Sequence, residues 1–435
     1  MTQAVCNVTL NKITELCGPN VGWDNYVGFK LYNSMSTGLP FGCLTFSDKS
    51  GHFFARFENL QIGTIIDLEL IDIGNDQNKL TYDEMVILWL ENDFDLSPSN
   101  FAGAIRIWFG HPWLLYKNTK NHCYKAASTT ELIKKIVTDE DRGKKFEVID
   151  SLFDVTDDNG GYPRFKVCET DWDFIQNKLI PFTAIEEQPA HFYCDELGRF
   201  HLSSYKKLYK NVPKALFHGQ EGAITEQADV GEMNKIIQES GMGPNSHFVI
   251  QRARLELGGP NINEDLFPTF FFENLSSGTF ISGSKRSSNM LSARSGETFG
   301  DILPLDALTM SNIKGTSTKV IRNRQALDAL TLLFETAKKM DGMFTLTIES
   351  IFNGHLFTIG DTVEIYLPSI KSPDIEKSKK HWINGKWLVT EVEHYSKEGT
   401  PKTLNSRIKV QRPSFVGNDN TTSLIAQPML YEVIH

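Results

Sequence analysis

Lys166-Val167-Cys168-Glu169-Thr170-Asp171-Trp172-Asp173-Phe174-Ile175 is the stretch from which the fold of this chain is read. It lies inside a longer segment that opens on Ser128-Thr129-Thr130-Glu131 and closes on His191-Phe192-Tyr193-Cys194-Asp195-Glu196-Leu197-Gly198-Arg199-Phe200, ending at Leu202. Ser128 suits a helix cap to which Glu131 reaches back, and Leu132, Ile133, Ile136 and Val137 then fall on one helical face. A second helix starts at Thr170, with Asp171 and Asp173 in the first turn, where the helix dipole favours anions. Trp172, Ile175 and Leu179 share a face of that helix, Trp172 as a core anchor, and Pro181 ends it. The closing stretch reads as a hairpin with Gly198 in a left-handed turn position. Long β-rich sequence lies on both sides, so the spacing predicts a small α/β domain inserted into a larger β scaffold.

Toward the N-terminus, Cys6, Val8 and Leu10 alternate with polar residues, as do Ile66, Leu68 and Leu70 within a strand expected from Ile62 to Ile73. Phe53 to Phe57, Met85 to Leu90 and Ala104 to Phe109 are further expected strands, the last two parted by Ser97-Pro98-Ser99-Asn100. Beyond the insert, Phe248 to Leu257 and Thr269 to Glu273 read as strands, 276–317 as Ser/Gly-rich loops, and Arg324 to Met340 as a helix. Phe344 to Ile348, Val363 to Leu367, Trp387 to Tyr395 and Arg407 to Val410 complete a β-meander. The expected division is 1–115 as a first β-barrel domain, with 206–245 as a candidate completion of it, and 116–205 as the inserted α/β domain. Residues 246–412 form a second β-barrel domain carrying a loop and helix insertion at 276–340, and 413–435 is a tail. The two β halves are of comparable size, which leaves an internal duplication open.

At 435 residues the chain exceeds one ordinary core. Its net charge of −10 argues against a protein that grips nucleic-acid backbones, which needs clustered Lys and Arg. No apolar run approaches the ~20 residues needed to cross a bilayer, so no membrane insertion is expected. The N-terminus lacks the pattern of a secretory signal. The cysteines, Cys6, Cys17, Cys43, Cys123, Cys168 and Cys194, are scattered without metal-type spacing and read as free, mostly buried thiols of a cytoplasmically made protein.

A search for chemistry returns plainer readings at each point. Gly315-Thr316-Ser317-Thr318-Lys319 lacks the second glycine and the ending of a phosphate loop, and Gly241-Met242-Gly243-Pro244 reads as a turn. Glu169, Asp171 and Asp173 would supply paired carboxylates to a hydrolase, but helix capping explains them more simply. His191 and His201, on facing hairpin strands, would share a metal only if they converge. Asp154 to Asn159 has calcium-loop composition without the spacing. The expectation is therefore a non-enzymatic protein with no catalytic residue, no metal and no cofactor.

Thr130 to Val137, Cys168 to Leu179 and Phe192 to Leu202, followed by Gly354 to Leu367 and Gly385 to His394, resemble in order and spacing the baseplate hub proteins of contractile phage tails. This group includes the late control proteins and is related to the type VI secretion spike. The resemblance spans most of 116–410 and implies a mainly β (α+β) chain of two tail-tube-like β-barrel domains flanking the α/β insert, assembled as a homotrimer. Two barrels in each of three copies would adapt a sixfold tail tube to a threefold spike and line a channel for DNA. The implied partners are a tail tube or tube-initiator protein, a central spike protein, the tape measure protein and other baseplate proteins, in a virion tail assembled in the host cytoplasm. The chain lacks a fused oligosaccharide-binding-type domain, a needle, and a lysozyme or peptidase segment, so spike and wall-degrading activity are expected on separate chains. The alternatives are a peptidoglycan hydrolase using Glu169, Asp171 or Asp173, and a carbohydrate-binding β protein.

Overall fold

A computed structural model describes residues 6–9, 26–48, 60–72, 75–97, 100–116, 119–125, 127–138, 152–156, 163–186, 188–196, 198–218, 247–257, 269–274, 279–283, 318–321, 344–351, 358–366, 385–397 and 400–412. The expected strand at Phe53 to Phe57, the helix at Arg324 to Met340 and the tail 413–435 lie outside the described residues.

The N-terminal strands are β1 (Cys6–Thr9), β2 (Tyr26–Ser34), β3 (Phe41–Asp48), β4 (Ile65–Asp72), β5 (Asn75–Ser97) and β6 (Asn100–Gly110). They pair in the order β1-β4-β5-β6-β3-β2. β2, β3 and β6 show period-two burial: Phe29 and Leu31 of β2, Leu44 and Phe46 of β3, and Ile105, Ile107 and Phe109 of β6 point inward and are buried. Met85 to Leu90, expected as a short strand, is the middle of the much longer β5, which turns through Ser97 and Asn100 into β6.

The insert begins with β7 (His122–Tyr124), α1 (Thr129–Thr138) and β8 (Arg164–Lys166). It continues through α2 (Asp171–Phe174), a π turn Ile175–Leu179 and a 3-10 turn Ile180–Phe182. It closes with β9 (Ala184–Ile185), β10 (Gln188–Cys194), β11 (Phe200–Ser204) and α3 (Tyr205–Tyr209). Both expected helix starts are present. The Ser128 amide donates to Glu131 Oε2 at 3.2 Å, and the Glu131 amide to Ser128 Oγ at 3.3 Å. Thr170 caps α2, accepting from the Asp173 amide at 3.0 Å.

The C-terminal strands are β12 (Ala215–His218), β13 (His247–Val249), β14 (Arg252–Leu257), β15 (Thr269–Asn274), β16 (Thr279–Gly283) and β17 (Thr318–Ile321). They end with β18 (Phe344–Ile351), β19 (Thr362–Tyr366), β20 (Gly385–Lys397) and β21 (Thr400–Arg412). The sequence allowed 206–245 to complete the first β domain; the described part instead supplies β12, which lies parallel between β13 and β19. The expected meander is also rearranged, because β18 pairs with β21 rather than with β19. The short link Lys397 to Thr400 forces β20 and β21 together, whereas the longer link from Ile351 to Thr362 leaves β19 free to join the far edge of β20.

Two features tie these strands into one body. First, β20 is shared: Gly385 to Leu388 pair with β19, Glu391 to Tyr395 pair with β2, and the opposite edge follows β21 from Leu388 to Lys397. The N- and C-terminal strand groups thus form one continuous mixed sheet. Second, the chain from His247 to Leu257 bends at Ile250–Gln251, where the Ile250 amide donates to the His218 carbonyl at 2.7 Å and the Gln251 amide to that of Glu349 at 2.9 Å. Through this bend the strands β12, β13, β14, β18, β21, β20 and β19 wrap a core of Phe217, Phe248, Leu346, Ile348, Val363, Ile365, Trp387, Val392 and Ile408. The wrap is barrel-like, although the ladder breaks between β13 and β14, so no continuously paired closed barrel forms among the described residues. The molecule is mainly β, with an α/β insert.

Candidate functional site

The insert meets both strand groups at a single junction, and the hairpin β10–β11 builds it. Because side chains alternate across a strand, the hairpin buries both faces. Phe192 and Phe200, stacked with centroids 5.3 Å apart, join Leu132, Ile133, Ile136, Phe174, Ile175 and Leu202 in the core of the insert. Tyr193, on the other face, is buried in the core of the C-terminal strands. The hairpin is a wedge between two cores.

The N-terminal strands reach the wedge through the loop that follows β2. The Cys194 amide donates to the Gly38 carbonyl at 2.7 Å, and Asn33 Nδ2 donates to the Cys194 carbonyl at 3.1 Å. Gly38 has φ +73° and lies beneath Trp172: a Cβ there would come within 2.6 Å of the indole. The C-terminal strands reach it through Thr358 to Asp361. Gly360, at φ +87°, leaves room for the Tyr193 hydroxyl, which an added Cβ would overlap at 2.0 Å. Asp361 fixes this turn by accepting from the Thr358 amide at 2.8 Å and pairs with Lys214 at 2.7 Å. Two glycines, one from each strand group, thus receive two aromatics of the insert. Trp172, expected as a core anchor, is only half-buried; it packs on the aromatic cluster of Trp113, Phe192 and Phe200 and against Gly38.

The turn at Asp195 and Glu196 sits at the middle of the junction. Asp195 is buried and heavily bonded: it accepts from the Arg199 amide at 2.9 Å and from Arg199 Nε at 2.8 Å, and lies 2.9 Å from His201 Nε2. Burial alone would raise its pKa, but His201 and then Arg199 more than offset this and hold it below the usual carboxylate value. Glu196 is the opposite case. It is 1% exposed, neither carboxyl oxygen has a hydrogen-bond partner, and Asn33 Oδ1 beside it also lacks one. Burial, reinforced by the neighbouring charge of Asp195, pushes the Glu196 pKa up to about 8. A cavity of about 410 Å³ opens between the insert and the β2–β20 seam, lined by Ser34, Gln176, His191, Tyr205, Glu391 and Gln411 among others.

The carboxylates singled out in the sequence do not converge on a cleft. Asp171 is fully buried and ion-paired with equally buried Lys166 at 2.6 Å, while Asp173 is exposed and bonded to the Thr170 hydroxyl at 2.7 Å. Glu169 lies half-buried before the helix. His191 and His201 do not converge either. Register pairs His201 with Tyr193, on whose ring it stacks at 4.9 Å, and His191 with Ser203, with its own ring edge-on to Tyr205 at 4.7 Å. Asp154 is taken up by Lys207 at 2.6 Å and by the Ser203 hydroxyl; 157–159 of that loop lie outside the described residues. Thr318 and Lys319 belong to a strand, not to a loop entering a helix, and Gly241 to Pro244 lie outside the described residues. Among the described cysteines Cys43 and Cys194 are buried but Cys123 and Cys168 are exposed, so the expectation of mostly buried thiols holds for half of them. No group of metal-binding side chains occurs among the described residues.

Away from the junction, the outer face of the sheet carries rows of alternating charge. In register across four strands stand Arg252, Glu349, Arg407 and Glu393, and the row ends against Tyr32 of β2. Arg407 bridges Glu349 and Glu393, each at 2.8 Å, and in the next row Lys409 pairs with Glu391 at 2.9 Å. The ladder crosses the C-terminal strands to the β2–β20 seam and leaves little net charge on that face.

This architecture defines a class: a β-rich chain whose two strand groups are joined by a shared strand and pinned by an α/β insert. No sequence-family model and no curated relative matches the chain. Among solved structures it is similar to the tail protein from Neisseria meningitidis MC58, at 11% identity and a TM-score of 0.53, covering 94% of this chain and 97% of that one. Also similar are the 43 kDa tail protein of prophage MuSo2 from Shewanella oneidensis (11% identity, TM-score 0.49, covering 94% and 98%) and an E. coli component of the type VI secretion system (9% identity, TM-score 0.45, covering 95% and 77%). The fold is the one seen in the meningococcal tail protein.

Proposed function

We propose that the chain is a structural hub of a phage tail baseplate: a homotrimeric ring that adapts the sixfold tail tube to a threefold central spike and surrounds the channel through which DNA passes. The observation that carries this reading is the fold shared with the meningococcal tail protein over nearly the whole length of both chains. In this reading 1–115 and 246–412 are the two tube-like units, 116–205 is the insert that clamps them, and 413–435 is a tail. Its partners are a tail tube or tube-initiator protein, the spike, the tape measure protein and other baseplate proteins. A shared strand and a glycine-seated insert suit a part that must hold two units at a fixed angle.

The role is non-catalytic. Asp171 is held by Lys166 and Asp173 by Thr170, so the carboxylates that favoured a hydrolase are not a catalytic pair. The cross-strand ion pairs of Arg407 and Lys409 fit a DNA passage, since paired cations offer less free positive charge to arrest a sliding duplex. Size-exclusion chromatography with light scattering tests the reading: the expected species is about three times the 49.2 kDa chain, alone or on addition of the spike protein. Clearing of purified peptidoglycan in a zymogram would support the hydrolase instead.

A further inference from the structure

Glu196 has no structural duty of the kind its neighbours have. Asp195 holds the hairpin turn through Arg199 and His201, and Asp361 holds the Thr358 turn and pairs with Lys214. Glu196 lies between these two carboxylates, on the same turn as the first and across the junction from the second, with the Tyr193 phenol also nearby. The polar group contributed by β2 is Asn33, whose amide nitrogen is committed to the Cys194 carbonyl and whose oxygen is unpartnered. No hydrogen bond of normal geometry joins Glu196 to it. A carboxylate without bonds, buried beside two others, is an arrangement that a folded protein does not sustain; a neutral acid beside an unpartnered amide oxygen is one it sustains readily.

We propose that Glu196 is a protonation lock on the junction. As the neutral acid it lets the hairpin turn close against Asn33 of the N-terminal strands and the Gly360–Asp361 turn of the C-terminal strands. On ionisation it is driven toward water, breaking the Asn33–Cys194 and Cys194–Gly38 bonds and releasing the insert from the strand groups. This inference stands apart from the hub reading: it concerns the junction of the isolated chain and holds or fails whatever the chain assembles with.

The sign follows from linkage. The folded pKa, about 8, lies above the ordinary carboxyl value of 4.5. The closed junction therefore holds a proton that the open one releases, and closure weakens as pH rises through this interval, reaching its floor above 8.

Hydrogen exchange of the full chain, corrected for intrinsic base catalysis, reads this directly at the Cys194 amide, which is bonded to Gly38. Between pH 6.5 and 8.5 its opening equilibrium is expected to grow about twentyfold, at close to tenfold per unit below pH 8. Glu196→Gln, a neutral isostere, is expected to fold and to show a flat profile over this range, while His201→Gln keeps the rise. A flat profile in the native protein overturns the lock. So does an equal rise in Glu196→Gln, failure of that variant to fold, or loss of the rise in His201→Gln.

Discussion

Gly38→Ala probes the clamp where the insert meets the N-terminal strands. The residue has φ +73°, and a Cβ would stand 2.6 Å from Trp172 Cζ2 and 2.9 Å from Cη2. The left-handed backbone costs a non-glycine residue about 1–2 kcal/mol, and forcing the rigid indole out of contact adds about 1–3 kcal/mol as overpacking. The sum, about 2–5 kcal/mol, divides cleanly because the two parts have different owners. Trp172→Ala removes the steric part and leaves the backbone part. Trp172→Ala alone is expected to cost less than the ~3–5 kcal/mol of a fully buried aromatic, since the indole is only half-buried. In urea titrations followed by circular dichroism, Gly38→Ala is therefore expected to be less damaging by about 1–3 kcal/mol in the Trp172→Ala background. Equal damage in both backgrounds would refute the contact between Gly38 and Trp172.

Lys166→Met removes the buried cation paired with the Asp171 carboxylate, both side chains being fully buried; the expected loss is about 3–5 kcal/mol, largely recovered in Lys166→Met/Asp171→Leu, by the same urea titration. A single variant within 1 kcal/mol of native, on the order of an exposed pair, would show that the ion pair is not sealed from water. His394 is buried in β20, with Ser406 Oγ 2.8 Å from Nδ1, and burial pulls its pKa down to about 3 from 6.5. Its folded pKa is depressed, so its contribution is intact above pH 6.5 and falls by about 1.4 kcal/mol per unit as pH drops toward 3. The stability difference between native protein and His394→Gln should follow that acid limb in thermal melts; a pH-independent difference would contradict it.

The elements legible in the sequence are those whose signals are local. The caps at Ser128 and Thr170, the apolar stripe of α1 and the turn glycine Gly198 need only neighbouring residues to be read, and all are present. The alternation in β4, β18 and β19 is equally plain. The order in which strands pair was not, because register depends on link lengths and on a shared strand, and nothing in β20 alone shows that its two halves have different partners. β2 escaped notice because its inward phase runs Phe29, Leu31, Asn33, and a polar residue in that phase looks like the end of a strand. That residue is the one that holds the Cys194 carbonyl, so the interruption marked the junction. Asp171 likewise reads as a first-turn acid by the local rule for helix starts; its mutual burial with Lys166 comes from packing that no spacing reveals. Glu196, in an ordinary-looking Asp-Glu-Leu-Gly turn, carried no signal.

The central claim is that this tail-type fold serves as a ring-forming hub. Single-particle electron microscopy of the purified chain, with and without its spike protein, tests it most directly. The account predicts a threefold ring in which two strand groups per copy give a pseudo-sixfold outline around an open channel. Particles that remain compact monomers of a single 49.2 kDa chain in both preparations would contradict it.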